Sequence, residues 1–145
     1  MRLSKSALEK IKEFEGCRLT AYRDAVNIPT IGYGRTSGVY MGMTITQEEA
    51  DHDLEQYIEA EEEALNRFFG EVQLNNNQWD AIVSFAYNIG MGNFKRSTLA
   101  KKIMSNPNNP TIYNEFGRWI KAGNKKLPGL VRRRAWEAAR WMGEA

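Results

Sequence analysis

The sequence has few of the residues from which disulfides and metal sites are built. It contains a single cysteine, Cys17, and a single histidine, His52, in 145 residues. One cysteine excludes an internal disulfide, and these two residues are too few for a Cys/His zinc site. No run of about 18 apolar residues is present to span a bilayer, and the first ten residues lack the apolar segment of a secretory signal. We therefore expect a chain that is made in the cytoplasm, needs no metal and does not insert into a membrane. We also expect a monomer that uses no other cofactor.

Charge is almost balanced over the whole chain but unevenly distributed along it. The formal net charge is +2, yet residues 46–63 hold nine acids and no lysine or arginine. From Lys95 to the end there are twelve Lys/Arg against three Glu. The acidic run is typical of a solvated helix face. The basic third is able to meet a polyanion, either a nucleic acid or an anionic cell-wall polymer.

Hydrophobic spacing and capping residues predict where the first elements lie. Ser4 is a candidate N-cap for a short helix that Gly16 ends. Residues 17–36 alternate in character and contain turn residues, which predicts a small antiparallel hairpin or sheet. Thr46 and Glu49 form a capping box at the start of a helix of about 20 residues.

The remaining chain reads as helices separated by Gly, Asn and Pro, over residues 76–89, 97–105, 111–123 and 130–142. This order predicts an α+β architecture in one domain, residues 1–145. A sheet lobe covers about residues 15–45, and the long helix joins it to a mostly helical lobe of about residues 66–145, which includes the N-terminal helix.

Two carboxylates near the first glycines are candidates for acid–base chemistry. Glu15 falls in the last turn of the first helix, where the helix dipole and nearby apolar side chains disfavour its charged form, so we expect a raised pKa. Asp24 lies at a polar turn beside Arg23 and is expected to stay ionised. One protonated and one ionised carboxyl group is the pair that glycosidic bond cleavage requires.

The strand that follows supplies a hydroxyl group. Thr30, Gly32 and Gly34 alternate with larger residues and are expected on one strand face, open to a flat ligand, where Thr30 can hold a water. The ordinary alternative is that these acids are surface residues and that the glycines only serve turns.

Four stretches resemble one protein family. The segments "EGCRLTAYRD" and "PTIGYGRT" are similar to the catalytic signature of the phage-type lysozymes, the endolysins of glycoside hydrolase family 24. Residues 75–103 resemble the family's central helical segment, and "GLVRRRAWEAARW" resembles its C-terminal arginine-rich helix. The resemblance covers nearly the whole chain and implies the lysozyme-like fold.

The resemblance also implies a reaction and its residues. The expected reaction is hydrolysis of the β-1,4 bond between N-acetylmuramic acid and N-acetylglucosamine in bacterial peptidoglycan. Glu15 matches the general acid, Asp24 the second carboxylate and Thr30 the threonine that positions water. Gly32 and Gly34 are expected to border the substrate. A separate holin is the implied partner for passage through the membrane to the wall, and no nucleic-acid partner is implied.

Asn88 matches a family position that faces the sugar chain from the helical lobe, with Ile89 and Gly90 offering backbone groups beside it. The alternative for Asn88 is a helix C-cap, a position that favours Asn and Gly.

Two positions depart from the family pattern. Arg35 replaces the usual histidine and is expected to pair with an acid on the helix after Thr46. Asn27 replaces the usual glycine of a turn and is expected to keep it, since asparagine tolerates left-handed backbone.

Other functions are weighed against hydrolysis. A lytic transglycosylase would use Glu15 alone and would not need Asp24 and Thr30. A non-catalytic module would bind wall polymer or nucleic acid through the basic third and Trp119, Trp136 and Trp141, although tryptophans at helical spacing are more often core. Cys17 as a nucleophile would need a histidine, and His52 lies in the acidic helix.

Overall fold

A computed structural model describes all 145 residues and shows seven helices and two antiparallel sheets of two strands each. The elements are α1 Lys5–Glu15, β1 Arg18–Arg23, β2 Pro29–Gly32, α2 Gln47–Phe69, α3 Asn76–Ile89, α4 Met91–Arg96, α5 Thr98–Ser105, α6 Ile112–Phe116, β3 Lys121–Ala122, β4 Lys125–Lys126 and α7 Pro128–Trp141. The α+β prediction is confirmed. None of the helices is long and apolar enough to cross a membrane.

The chain divides into two compact units. One, here the sheet unit, is Leu8–Ala60, and the other, the helical unit, is Met1–Ala7 with Glu61–Ala145. Residues 47–60 of α2 belong to the sheet unit and residues 61–69 to the helical unit.

Helix α1 begins and ends where its capping residues predict. Ser4 Oγ accepts a hydrogen bond from the Ala7 amide at 3.2 Å, which satisfies one of the free N–H groups of the first turn. Gly16 has φ +67 and donates its amide to the Lys12 carbonyl at 2.9 Å. A left-handed residue in this place closes the helix immediately after Glu15.

Strands β1 and β2 form the predicted hairpin, with Tyr22 opposite Thr30 and Arg23 opposite Pro29. Asn27 is the one non-glycine residue of positive φ, at +67. The expectation that asparagine preserves this turn is therefore confirmed. The pairing is irregular between Arg18 and Tyr22, where the register shifts.

Helix α2 starts at the predicted capping box. The Glu49 amide donates to Thr46 Oγ1 at 3.1 Å, and the Thr46 amide lies 3.4 Å from Glu49 Oε2. The helix runs for 23 residues, slightly beyond the expected length. Its start is held to the rest of the sheet unit by Asp51, which lies 3.5 Å from Lys12 Nζ and accepts a hydrogen bond from Tyr33 at 3.1 Å.

The core of the helical unit is built around α3, of which residues 79–86 are buried. Phe85 makes edge-to-face contacts with Phe94, Phe116 and Trp119, at ring separations of 5.4–6.1 Å. Trp141 is 6% exposed and its ring lies 6.1 Å from that of Phe116. Trp141 is therefore a packing residue, and Trp119 is half-buried with its ring against Phe85, which leaves less tryptophan surface for a binding module.

The prediction of a helix over residues 111–123 is wrong beyond the first turns. Helix α6 ends at Phe116, and a short hairpin follows in which Lys121 pairs with Lys126 and Ala122 with Lys125. Gly123, at φ +62, and Asn124 occupy the turn. A Gly-Asn pair is a recognised hairpin signal, and here it prevails over the apolar spacing of the preceding residues. Helix α4 was not predicted, because a helix of six residues shows too little periodicity.

Candidate active site

Glu15 is the last residue of α1 and is half-buried. Because Gly16 turns the chain immediately after it, the carboxyl group is presented at a helix end instead of along a helix face. Glu13, two residues earlier, is different: its side chain is 70% exposed and lies 3.5 Å from Lys10 Nζ. The two glutamates thus occupy distinct environments on one short helix.

Asp24 is fixed by the loop that it opens. Its Oδ1 accepts hydrogen bonds from the amides of Val26 at 3.0 Å and Ile28 at 2.9 Å. Its own amide donates to the Ile28 carbonyl, and its carbonyl accepts from the amide of Asn27. One carboxylate oxygen therefore organises the turn, while Oδ2 accepts no hydrogen bond from the chain and is available to a ligand or water.

Thr30 is linked to Asp24 through the backbone of Ile28. Its Oγ1 donates to the Ile28 carbonyl at 2.9 Å, and the residue is 4% exposed. Because that carbonyl takes the hydroxyl hydrogen, the lone pairs of Thr30 Oγ1 remain as acceptors. Ile28 therefore positions both polar groups through its backbone, a role that the sequence analysis missed because any residue other than proline carries these atoms.

The prediction that the strand face around Thr30 is open to a ligand is wrong at Gly32. A Cβ atom at Gly32 would lie 3.4 Å from Ile45 Cδ1 and 3.5 Å from Ala50 Cβ, so this glycine is packed against apolar side chains. Gly34 does not continue the strand alternation, because a tight turn closes from Ile31 to Arg35 with hydrogen bonds in both directions at 2.9 Å. Strand β2 ends at Gly32, which has φ +64.

Cys17 lies near a polar cluster formed by Tyr33, Gln47 and Asp51. Gln47 Nε2 lies 3.9 Å from Cys17 Sγ, 3.1 Å from the Tyr33 hydroxyl and 3.0 Å from Asp51 Oδ1. Burial raises the pKa of Tyr33 to about 12. The hydrogen bond from Gln47 is the main influence that lowers the pKa of Asp51. These contacts hold Tyr33, the residue after β2, against α2, which is a structural role for the cluster.

Arg35 forms the ion pair that was expected of it. Its Nη1 lies 3.1 Å from Asp53 Oδ2, on α2, and its Nε donates to the Ser37 carbonyl at 2.9 Å. The prediction of a partner on the helix after Thr46 is confirmed.

In the helical unit, Asn88 lies inside the last turn of α3, one residue before its end. The alternative reading of Asn88 as a C-cap is wrong, because the cap is Gly90, whose φ is +88 and whose amide donates to the Ala86 carbonyl at 2.8 Å. The Asn88 side chain is exposed, and its Oδ1 accepts a hydrogen bond from Arg134 Nη2 at 2.7 Å.

The backbone groups expected to be offered by Ile89 and Gly90 already make hydrogen bonds within the chain. The Ile89 carbonyl accepts from Asn93 Nδ2 at 2.8 Å, and the Gly90 carbonyl accepts from the Phe94 amide at 2.9 Å. Only the second lone pair of each carbonyl is left for a ligand.

A buried charged network lies behind Asn88. Glu137 is fully buried and lies 2.8 Å from Arg134 Nε and 3.4 Å from Arg133 Nε, although the Arg134 N–H is not aimed at the carboxylate oxygen. Arg134 Nε lies against Oε1 of Glu137, whereas Arg133 Nε and Ser84 Oγ both lie against Oε2, to which Ser84 donates a hydrogen bond. Arg133 also donates to the Ser84 carbonyl at 3.0 Å. Burial raises the pKa of Glu137, and the two guanidinium groups oppose that rise.

Known proteins resemble this chain in sequence and in fold. A family model described as phage lysozyme matches residues 12–137. The endolysin of Acyrthosiphon pisum secondary endosymbiont phage 1 is 42% identical over 147 residues, covering 96% of this chain and 97% of that protein. The endolysin of Bacillus phage PZA is 38% identical over 142 residues, and this chain spans 54% of its length. The muramidase domain of SpmX from Asticaccaulis excentricus has a TM-score of 0.87 and 31% identity, and the match covers 97% of each chain.

Proposed function

Because this chain belongs to the phage lysozyme family, we propose that it acts as an endolysin that hydrolyses the β-1,4 bond between N-acetylmuramic acid and N-acetylglucosamine in peptidoglycan. It is a hydrolase of the muramidase type. The chemistry requires one carboxyl group that gives a proton and a second that stays charged. Within the sheet unit, Glu15 and Asp24 are the pair that we assign to these roles.

The observation that best supports this proposal is the way in which Ile28 holds Asp24 and Thr30. The Ile28 amide fixes Asp24 Oδ1, and the Ile28 carbonyl takes the hydrogen of the Thr30 hydroxyl. Asp24 Oδ2 and the lone pairs of Thr30 Oγ1 are left as two hydrogen-bond acceptors. A water has two hydrogens to donate, so this pair is suited to hold one with its oxygen lone pair directed at a sugar carbon.

The proposed reaction is a single displacement. The water oxygen bonds to the anomeric carbon and loses a proton to Asp24, while the bond from that carbon to the glycosidic oxygen breaks. The leaving oxygen takes the proton of Glu15. Asp24 also stabilises the positive charge that develops on the sugar ring. No covalent glycosyl intermediate forms, and the anomeric configuration inverts.

The proposal also assigns residues that bind the glycan. Asn88 is assigned to substrate binding because its amide is exposed and anchored at one end. Ile89 and Gly90, at the end of α3, contribute second lone pairs of carbonyls that already accept one hydrogen bond each. Gly34 is exposed beside β2, whereas Gly32 acts through the close packing of the strand on Ala50.

Partner and location follow from the same assignment. We propose a monomer that accumulates in the host cytoplasm and reaches the wall after a separate holin has opened the membrane. Intact and chloroform-permeabilised Gram-negative cells test this directly, because lysis by added protein should require permeabilisation. Neither a nucleic acid nor a metal has a role in the proposed reaction.

The function is tested by replacing Glu15 with glutamine. Glu15→Gln keeps the size of the side chain and removes the proton donor, so the rate of peptidoglycan clearance should fall at least about 100-fold. Glu13→Gln is the matched control on the same helix and should leave the rate unchanged. Near-normal clearance by Glu15→Gln would refute the assignment. Products that are lighter than hydrolysis products by one water would instead identify a lytic transglycosylase.

A further inference from the structure

The contact between Arg134 and Asn88 fixes the direction of an exposed amide group. Arginine carries only hydrogen-bond donors, so the atom of Asn88 that faces Arg134 Nη2 at 2.7 Å must be the carbonyl oxygen. Rotation of the amide by 180° would place two N–H groups against a guanidinium. The Asn88 Nδ2 group is therefore directed away from Arg134 and has no partner within the chain.

The guanidinium of Arg134 is itself held in place. Its side chain is 1% exposed, its Nε lies 2.8 Å from the carboxylate of Glu137, and its Cζ lies 4.9 Å from the centre of the Phe85 ring. A buried cation paired with a carboxylate and stacked on an aromatic ring has little rotational freedom. Arg134 can therefore hold the exposed Asn88 amide in one of its two orientations.

We propose that Arg134 is a positioning residue that makes Asn88 a hydrogen-bond donor to the glycan, with an acetamido carbonyl oxygen of the sugar as the acceptor. This inference rests on the proposed function, since it assumes that a glycan binds at Asn88. An amide carbonyl is the strongest neutral acceptor that such a sugar carries, and an N–H group oriented in advance binds it without the cost of ordering the side chain. Asn88 thereby contributes selectivity for N-acetylated sugars.

The decisive variant is Asn88→Asp. Aspartate keeps an oxygen for Arg134, so the fold and the ion-pair network are retained, but it replaces the Nδ2 donor with an acceptor. The Kd for a β-1,4-linked N-acetylglucosamine tetramer, measured by calorimetry in the inactive Glu15→Gln background, should rise about tenfold, which corresponds to about 1.4 kcal/mol. The melting temperature should not fall.

A de-N-acetylated tetramer separates the acetamido carbonyl from other acceptors. The Glu15→Gln protein should prefer the acetylated tetramer, and Asn88→Asp should reduce or reverse that preference, since its carboxylate attracts the sugar ammonium groups. An unchanged preference would overturn the assignment of the acetamido oxygen as acceptor.

The role of Arg134 is tested by a double-mutant cycle with Asn88. Arg134→Lys keeps the charge beside Glu137 but loses the planar guanidinium group and its hydrogen bond to Asn88. The amide of Asn88 is then free to rotate, so the Kd for the acetylated tetramer should rise several-fold. In the Asn88→Asp background the same change should have no further effect on that Kd. Effects that multiply would show that Arg134 acts independently of Asn88 and would overturn the proposal.

The failure of this inference is distinguishable from failure of the function. If Glu15→Gln abolishes clearance while Asn88→Asp binds the acetylated tetramer as tightly as its parent does, the enzyme assignment stands and the role of Asn88 is refuted. If Glu15→Gln clears peptidoglycan normally, the function itself is refuted.

Discussion

Arg35 and Asp53 form an ion pair at 3.1 Å that ties the turn after β2 to the second turn of α2. The two side chains are 35% and 28% exposed, so water screens the pair only in part. A guanidinium, unlike an imidazole, carries its charge throughout the physiological pH range.

Loss of this pair should cost little stability. We expect Arg35→Ala to lower the free energy of unfolding by no more than about 1 kcal/mol, because the pair is partly exposed. Thermal unfolding measures the effect, and Arg35→Lys is the control that keeps the charge but not the hydrogen bond to Ser37. An unchanged melting temperature for Arg35→Ala would show that the ion pair does not contribute to stability.

Two substitutions of Asp24 should separate its role in catalysis from its role in stabilising the loop. Asp24→Asn keeps an oxygen for the amides of Val26 and Ile28 but removes the charge, so clearance of peptidoglycan should fall at least about 100-fold with little change in melting temperature. Asp24→Ala removes both hydrogen bonds as well, at a cost of about 1 kcal/mol each. Equal melting temperatures for the two variants would contradict the structural role given to Oδ1.

The stereochemical outcome tests whether Asp24 and Thr30 hold the attacking water. Inverting glycosidases keep their carboxyl groups about 6.5–9.5 Å apart, whereas retaining ones keep them about 5 Å apart. We expect the longer separation between Glu15 and Asp24 and an α-anomer as the first product from a β-linked chain. Proton NMR of early product gives the answer. A β-anomer formed first, or Asp24 trapped as a glycosyl ester, would overturn the mechanism without altering the substrate assignment.

The rate of lysis should depend on ionic strength, because basic side chains attract the anionic cell wall. Eight of the basic residues after position 94 are exposed, namely Lys95, Arg96, Lys101, Arg118, Lys121, Lys125, Lys126 and Arg132. Lysis should slow as salt rises toward about 0.5 M, because the attraction to an anionic polymer is screened. The double variant Lys121→Gln/Lys126→Gln removes the like-charged pair of the β3–β4 hairpin and should lower the salt sensitivity. A rate independent of salt would refute this contribution.

Glu61 should make stability depend on pH. It is 5% exposed, its Oε2 has no hydrogen-bond partner, and burial raises its pKa well above 4.5 despite the nearby charge of Arg133. The folded state therefore binds this proton more tightly than the unfolded state does. Its contribution to stability is fully present at low pH and is lost as pH rises from about 4.5 through the folded pKa.

Glu61→Gln should remove that dependence. Chemical unfolding at about pH 4 should give similar free energies for the variant and the parent protein, whereas at about pH 8 the variant should be the more stable. Glu63→Gln, at an exposed position of the same helix, is the control and should show no such divergence. A difference between Glu61→Gln and the parent that stays constant with pH would contradict the argument.

Local signals in the sequence determined the helix ends and the first turn. Ser4, Gly16 and the Thr46–Glu49 capping box act on backbone groups within a few residues of themselves. Asp24 and Thr30 lie within seven consecutive residues of one hairpin and both bond to Ile28, so short-range geometry was enough to place these two together.

Tertiary structure decided what depends on contacts between distant segments. Gly32 is packed because Ile45 and Ala50 lie against it, and Asn88 is oriented because Arg134, 46 positions later, contacts its side chain. The hairpin at residues 121–126 replaced an expected helix once a Gly-Asn turn redirected the chain. Periodicity and capping report the local preference of the backbone, whereas the partner of a side chain is set by segments that meet only when the chain has folded.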